Sequence, residues 1–206
     1  MKKKIRIIDQ MFAHAKYSTD FQESKYIEWD RFSRYSDDDI IFFTDYSLDR
    51  AQSFNNKNKI AWLLESPDIT WQSHGWITYN NTFTTVLTNS KELLDRGENY
   101  KFCPTGGCWI KPEDQKIYEK NKLISIIASA KRMISGHILR HTCIEKFRGK
   151  FDIYGRGYNP VDYKLEALKD YAFSITIENR LLFYRKINRL FYDWNSSNLL
   201  GLSINW

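Results

Sequence analysis

Residues 151–179, FDIYGRGYNPVDYKLEALKDYAFSITIEN, read as strand, glycine turn, helix, strand. That order leaves little but a parallel α/β sheet. Residues 151–154 form a short β-rich run, and Gly155-Arg156-Gly157 sets an arginine between two residues that tolerate positive φ. Asn159-Pro160 holds off helix until Val161. Tyr163, Leu165, Leu168 and Tyr171 then recur at helical spacing and predict a helix. Residues 173–177 alternate as a strand that ends in Glu178-Asn179. An arginine at one strand end and a carboxylate at the next is how an open α/β sheet presents a ligand crevice.

Upstream, residues 123–128 (LISIIA) are a near-continuous apolar run, as a buried parallel strand requires. Lys131 and Arg132 follow at its carboxyl end. A helix is predicted over residues 136–148, with Ile138, Leu139, Cys143 and Phe147 on one side and His137, Arg140, His141 and Lys146 nearer the other. Strand, cationic turn and helix make a setting for a nucleoside diphosphate. Residues 110–121 are charged and helical in composition, and residues 111–121 are the expected link between two domains.

The N-terminal half carries strand signals at residues 4–8, 40–43, 59–64, 84–88 and 101–104. Residues 14–38 show no clear period and predict a loop with a short helix. Asp37-Asp38-Asp39 precedes a strand, at the entering end, and reads as a solvated turn. Ser90 is the expected cap of a helix that Gly97 ends. The strand KIAWLL runs directly into Glu65-Ser66-Pro67. A carboxylate there is placed to act as a general base, and burial would raise its pKa toward a working range. His74, between Trp71 and Trp76, is the alternative base, although a histidine among tryptophans is more often packed. Trp71 and Trp76 suit either sugar stacking or core packing.

Hydrophobic residues are 42% of the 206 and aromatics 16%, enough for a sizeable core. No apolar run is long enough to span a bilayer. The basic start turns at once into a strand, so no signal peptide is expected. Cys103, Cys108 and Cys143 fit neither a zinc site nor a disulfide framework. A cytoplasmic protein, at most peripheral at a membrane, is the expectation. Lys and Arg number 31 against 25 Asp and Glu, a net of +6. Residues 180–206 contribute Arg180, Arg185, Lys186 and Arg189 against Asp193 alone, and the remaining charge is scattered. A nucleic-acid partner is therefore not expected.

The YGRG turn, the Lys-Leu-x-x-Leu-Lys-Asp-Tyr segment and the strand ending Ile-Glu-Asn together resemble the donor domain of the α-1,3-fucosyltransferases of glycosyltransferase family 10. Ser129-x-Lys131, the Gly-His-x-Leu-Arg-His run at residues 136–141 and Gly106-Gly107-Cys108-Trp109 match the same family. The resemblance implies an α/β protein of two Rossmann-like lobes, the B-type glycosyltransferase architecture, with the site in the cleft between them. Residues 1–110 would form the acceptor-side lobe and residues 122–179 a partial nucleotide-sugar lobe. It implies transfer of fucose from GDP-fucose to a glycan hydroxyl with inversion, needing no cofactor and no essential divalent metal. Glu65 would be the base. Lys131, Arg140, Tyr154, Arg156, Glu178 and Asn179 would meet the donor, and Trp71, His74 and Trp76 the acceptor.

The family continues with a tyrosine, Thr-Glu-Lys, a helix and a Pro-Ile-Tyr-Trp-Gly strand, which the C-terminal lobe of this chain lacks. Read one base later with permitted codons, residues 180–206 can spell DYYFTEKLIDCFMTGTVPIYWGCPSIG. An aberrant, out-of-frame tail and a weakly active chain are the expectation. The alternatives are another nucleotide-sugar donor, or a non-catalytic glycan- or nucleotide-binding module.

Overall fold

The computed structural model describes residues 2–9, 24–33, 35–104 and 109–178. The chain divides into two compact units, Met1–Lys111 and Pro112–Trp206, each built on a parallel sheet. Asn179, Cys108 with the glycines before it, and residues 180–206 lie outside the described residues.

In the first unit six strands pair in the order β2-β1-β3-β4-β5-β6. They are β1 (Lys3–Ile8), β2 (Ile27–Asp30), β3 (Ile41–Thr44), β4 (Lys59–Trp62), β5 (Thr85–Thr88) and β6 (Tyr100–Phe102). Every neighbouring pair is parallel. Ile41, Phe43, Ala61, Leu63 and Val86 point to one face, where they are buried under Leu48 of a 3-10 helix (Asp45–Ser53) and Ile77 of α1 (Trp71–Tyr79). On the other face Trp29 meets Phe42 edge-on at 5.1 Å and lies 5.7 Å from Trp62, centroid to centroid. Parallel strands must be covered on both faces, and the aromatic cluster supplies cover for the second.

The second unit has three parallel strands in the order β8-β7-β9: β7 (Lys122–Ile127), β8 (Asp152–Tyr154) and β9 (Tyr171–Ile175). The first three strands of each unit thus share one order. The chain leaves the first strand to one side, then crosses to its other side. In the first unit the reversal falls between β1 and β3, and in the second between β7 and β9. Ligand crevices form outside the carboxyl ends of strands at such switch points.

Several expectations need correction. Residues 27–30 form a strand where a loop was expected; β2 is an edge strand with mixed burial, so it leaves no periodic signal. Residues 110–121 hold only a 3-10 turn (Pro112–Asp114) and no longer helix. The predicted helix after Gly157 is reduced to a 3-10 turn (Lys164–Ala167), and Tyr171 opens β9. Ser90 precedes the short α2 (Lys91–Leu94) without a side-chain capping bond.

The apolar side of α3 (Ser135–Lys146) is not the side that is buried. Ile138, Leu139 and Phe147 are exposed, while His137, His141 and Ile144 are buried. A buried polar ring is tolerated when both nitrogens are satisfied. His141 Nε2 lies 3.0 Å from the Lys131 carbonyl, which can only accept, and Nδ1 faces the Tyr158 hydroxyl. Nε2 therefore carries the proton, and in the neutral ring Nδ1 accepts from Tyr158.

The Gly155-Arg156-Gly157 turn does need its glycines. Their φ values are +111° and +98°. An added Cβ would stand 2.1 Å from the Ala128 carbonyl oxygen at Gly155 and 2.5 Å from Ala130 Cβ at Gly157. Gly149, at φ +77°, has open space around it. Gly155→Ala should therefore cost roughly 3 kcal/mol or more of stability, from left-handed strain plus overlap with backbone. Gly149→Ala, with strain alone, should cost about 1 kcal/mol. Chemical denaturation of the two variants checks the difference.

Candidate functional site

In the first unit three carboxylates follow the carboxyl ends of neighbouring strands: Asp9 after β1, Asp45 after β3 and Glu65 just beyond β4. Asp9 is internally paired. Arg31 Nε and Nη2 reach its two oxygens at 3.0 Å and 2.8 Å, a bidentate bridge that ties the end of β1 to the segment after β2.

Asp45 is 1% exposed and has a positive φ of 33°, the one such non-glycine residue among those described. Its Oδ1 accepts the backbone N–H groups of Leu64 at 3.1 Å and Glu65 at 3.2 Å. Its main-chain carbonyl accepts the Ser73 hydroxyl at 2.8 Å. Asp45 Oδ2, Thr44 Oγ1, Ser47 Oγ and Ser66 Oγ are buried with no hydrogen-bond partner among the described residues. Burial pushes the Asp45 carboxyl from an ordinary 3.8 up to about 6, against the pull of the Glu65 and Leu64 N–H groups. The nearby Glu65 charge adds to the rise.

Glu65 itself is half-buried. The loop that carries it is tightly tied: the Ser66 carbonyl accepts from Ile69 N, Thr70 N and the Thr70 hydroxyl. The His74 ring, buried on the inner side of α1, places Nε2 3.3 Å from the Glu65 carbonyl. It is thus packed against an acceptor, the commoner role for such a histidine. Trp76 is half-buried and meets Phe83 edge-on at 5.8 Å, so it belongs to the core packing. Trp71 is 68% exposed.

In the second unit the loops after β7 and β8 run side by side. Ala128 N donates to the Tyr154 carbonyl at 2.8 Å and Ala130 N to the Arg156 carbonyl at 2.9 Å, so the ladder continues past both strands. Lys131 and Arg156, both exposed, come to the same carboxyl-terminal end on these adjoining loops. Arg140 of α3 donates through Nη2 to the Ile177 carbonyl at 2.6 Å, beyond β9 and next to Glu178. Burial lowers the Arg140 pKa, and the Glu178 carboxylate opposes that.

Tyr154 lies apart from this group. Its hydroxyl bonds that of Tyr171 at 2.6 Å, and Tyr171 in turn donates to Asp152. Tyr171, Asp152 and Lys122, which also reaches the Tyr171 hydroxyl, all open their strands, so the Tyr154 hydroxyl belongs to the entering end. Among the described residues no three His, Cys, Asp or Glu side chains cluster as metal ligands. No described helix is long and apolar enough to cross a membrane.

Sequence reasoning passed over Asp45. A signal was present: Asp45 follows the apolar strand Ile-Phe-Phe-Thr as Glu65 follows KIAWLL. What the sequence does not carry is the turn at positive φ that brings the carboxylate back onto the neighbouring strand.

Asp45 has a consequence for stability. A raised carboxyl pKa means that the folded chain binds this proton more tightly than the unfolded chain. Between pH 3.8 and about 6 the folded state holds more of it, so stability falls as pH rises through that window. The loss amounts to about 3 kcal/mol. Asp45→Asn should remove this component. Urea denaturation at pH 4 and pH 7 should show a smaller drop for the variant than for the parent chain.

No protein-family model, no curated protein and no solved structure matches this chain, so what it does must be argued from the sheet ends themselves.

Proposed function

We propose that the chain is an inverting glycosyltransferase that takes GDP-fucose as donor and a glycan hydroxyl as acceptor. The observation that carries this reading is in the second unit. Lys131, Arg156 and the Arg140–Ile177 link bring three cations and the Glu178 carboxylate to the carboxyl ends of three parallel strands. The quoted motifs supply the same residues in the same order. Fixed cations there would neutralise the departing diphosphate, which removes the need for an essential metal. Glu178 would accept hydrogens from sugar hydroxyls.

In this reading Glu65 removes the proton from the acceptor hydroxyl. The oxygen bonds to C1 of fucose as the C1–O bond to GDP breaks, and GDP leaves with the electron pair. The proton ends on Glu65. Trp71, exposed on α1, offers an indole face to the acceptor sugar. His74 acts only through its contact with the Glu65 carbonyl.

The test is a transfer assay with a donor panel (GDP-fucose, GDP-mannose, UDP-sugars) on oligosaccharide acceptors, read by mass spectrometry. It uses the chain itself and a second version whose residues 180–206 carry the shifted-frame sequence. A deoxyhexose gain with GDP-fucose alone, larger in the second version, is expected. Glu65→Gln should slow transfer about 100-fold or more. Arg156→Ala should raise the donor KM about 10-fold. Transfer from another donor only would reassign the sugar. Saturable glycan binding that survives Glu65→Gln, with no transfer in either version, would make the chain a binding module instead.

A further inference from the structure

We propose that Asp45 is the positioning residue for Glu65: its carboxylate, anchored at the end of β3, fixes the Leu64–Glu65 backbone and so sets where the Glu65 side chain leaves β4. The inference rests on Glu65 being the base, and goes further by naming the group that aims it.

The ladder between β3 and β4 ends at Thr44 and Trp62. On the other side of β4, Leu63 N still pairs with the Leu87 carbonyl at 2.9 Å. Beyond it the N–H groups of Leu64 and Glu65 would lose their partners, because β3 turns away at Asp45. The Asp45 side chain takes over and accepts both from Oδ1. Glu65 is then held at its other end as well, since His74 of α1 meets its carbonyl. Ser73, on the same helix, holds the Asp45 carbonyl. Both backbone groups of the base are thus fixed by side chains, and one helix ties the two clamps together.

This arrangement is costly. Asp45 sits in the left-handed region at φ 33° and is 1% exposed, with no ion-pair partner among the described residues. Strain and an unpaired buried carboxylate persist where the surroundings over-determine them, which is characteristic of functional sites. A carboxylate gives stronger bonds to two N–H groups than a neutral acceptor does.

The test combines amide hydrogen exchange with single-turnover transfer, on the full chain and its D45A, D45N, E65Q and D45A/E65Q variants. In D45A the Leu64 and Glu65 amides should exchange about 100-fold faster while Phe43 and Ala61 keep their protection. The transfer rate should fall about 10- to 100-fold with acceptor KM within about 3-fold, as displacement of a base requires. D45A/E65Q should be no slower than E65Q alone, because a residue that acts only by aiming Glu65 has nothing left to aim. D45N keeps an acceptor oxygen and should restore protection and most of the rate. Unchanged protection in D45A, additive losses in the double variant, or D45N as slow as D45A would each overturn the proposal. If D45A does not fold, loss of amide protection in D45N overturns it. Absence of transfer in the parent chain, with protection lost in D45A, removes the transferase reading and leaves Asp45 in control of the Glu65 backbone.

Discussion

Parallel pairing on both sides of one early strand is what everything else depends on. In the first unit β1 is flanked by β2 and β3, and in the second β7 is flanked by β8 and β9. A parallel neighbour cannot be reached by a hairpin, so each step returns the chain over a face of the sheet. All strands therefore release their polar ends at one edge. The buried middles are apolar by necessity, and chemistry is left to the few residues just past each strand. Asp9, Asp45 and Glu65 occupy those places in one unit, and Lys131, Arg156 and Glu178 in the other.

These ends are not equally built. Asp9 is neutralised by a bidentate arginine and reads as a structural tie. Asp45 has no ion-pair partner among the described residues, and its carboxylate accepts the main-chain hydrogens of Leu64 and Glu65 just past β4. In the second unit two loops are zipped together through the Ala128 and Ala130 backbone, and His141 holds the Lys131 carbonyl from α3.

Much of this was legible in the sequence where one physical rule dominated. The run LISIIA suits a parallel strand and forms one, buried in its middle with Leu123 exposed; Gly155 and Gly157 tolerate positive φ and adopt it. Legibility failed where a tertiary partner overrode local pattern. In α3 the spacing of apolar residues does not tell which side is buried. His141 instead satisfies both ring nitrogens inside, and Ile138 and Leu139 are left outside. Residues 163–171 have helical spacing, but Tyr171 is claimed by pairing with Lys122 of β7, which leaves a single turn of helix. At the candidate site, Glu65 could be found from its place after a strand. Asp45 could be found the same way, but its hold on Glu65 depends on a φ that no pattern of residue types encodes.

The fit of the glycine turn constrains how this chain can vary. Gly155 and Gly157 lie against Ala128 and Ala130 with no room for one more carbon. Neither loop can lengthen, shift or gain bulk without the other giving way. Residues 128–131 and 155–157 therefore behave as a single inherited cassette. Relatives of this protein should show them changing together, because the backbone of one loop sets the room left for the other.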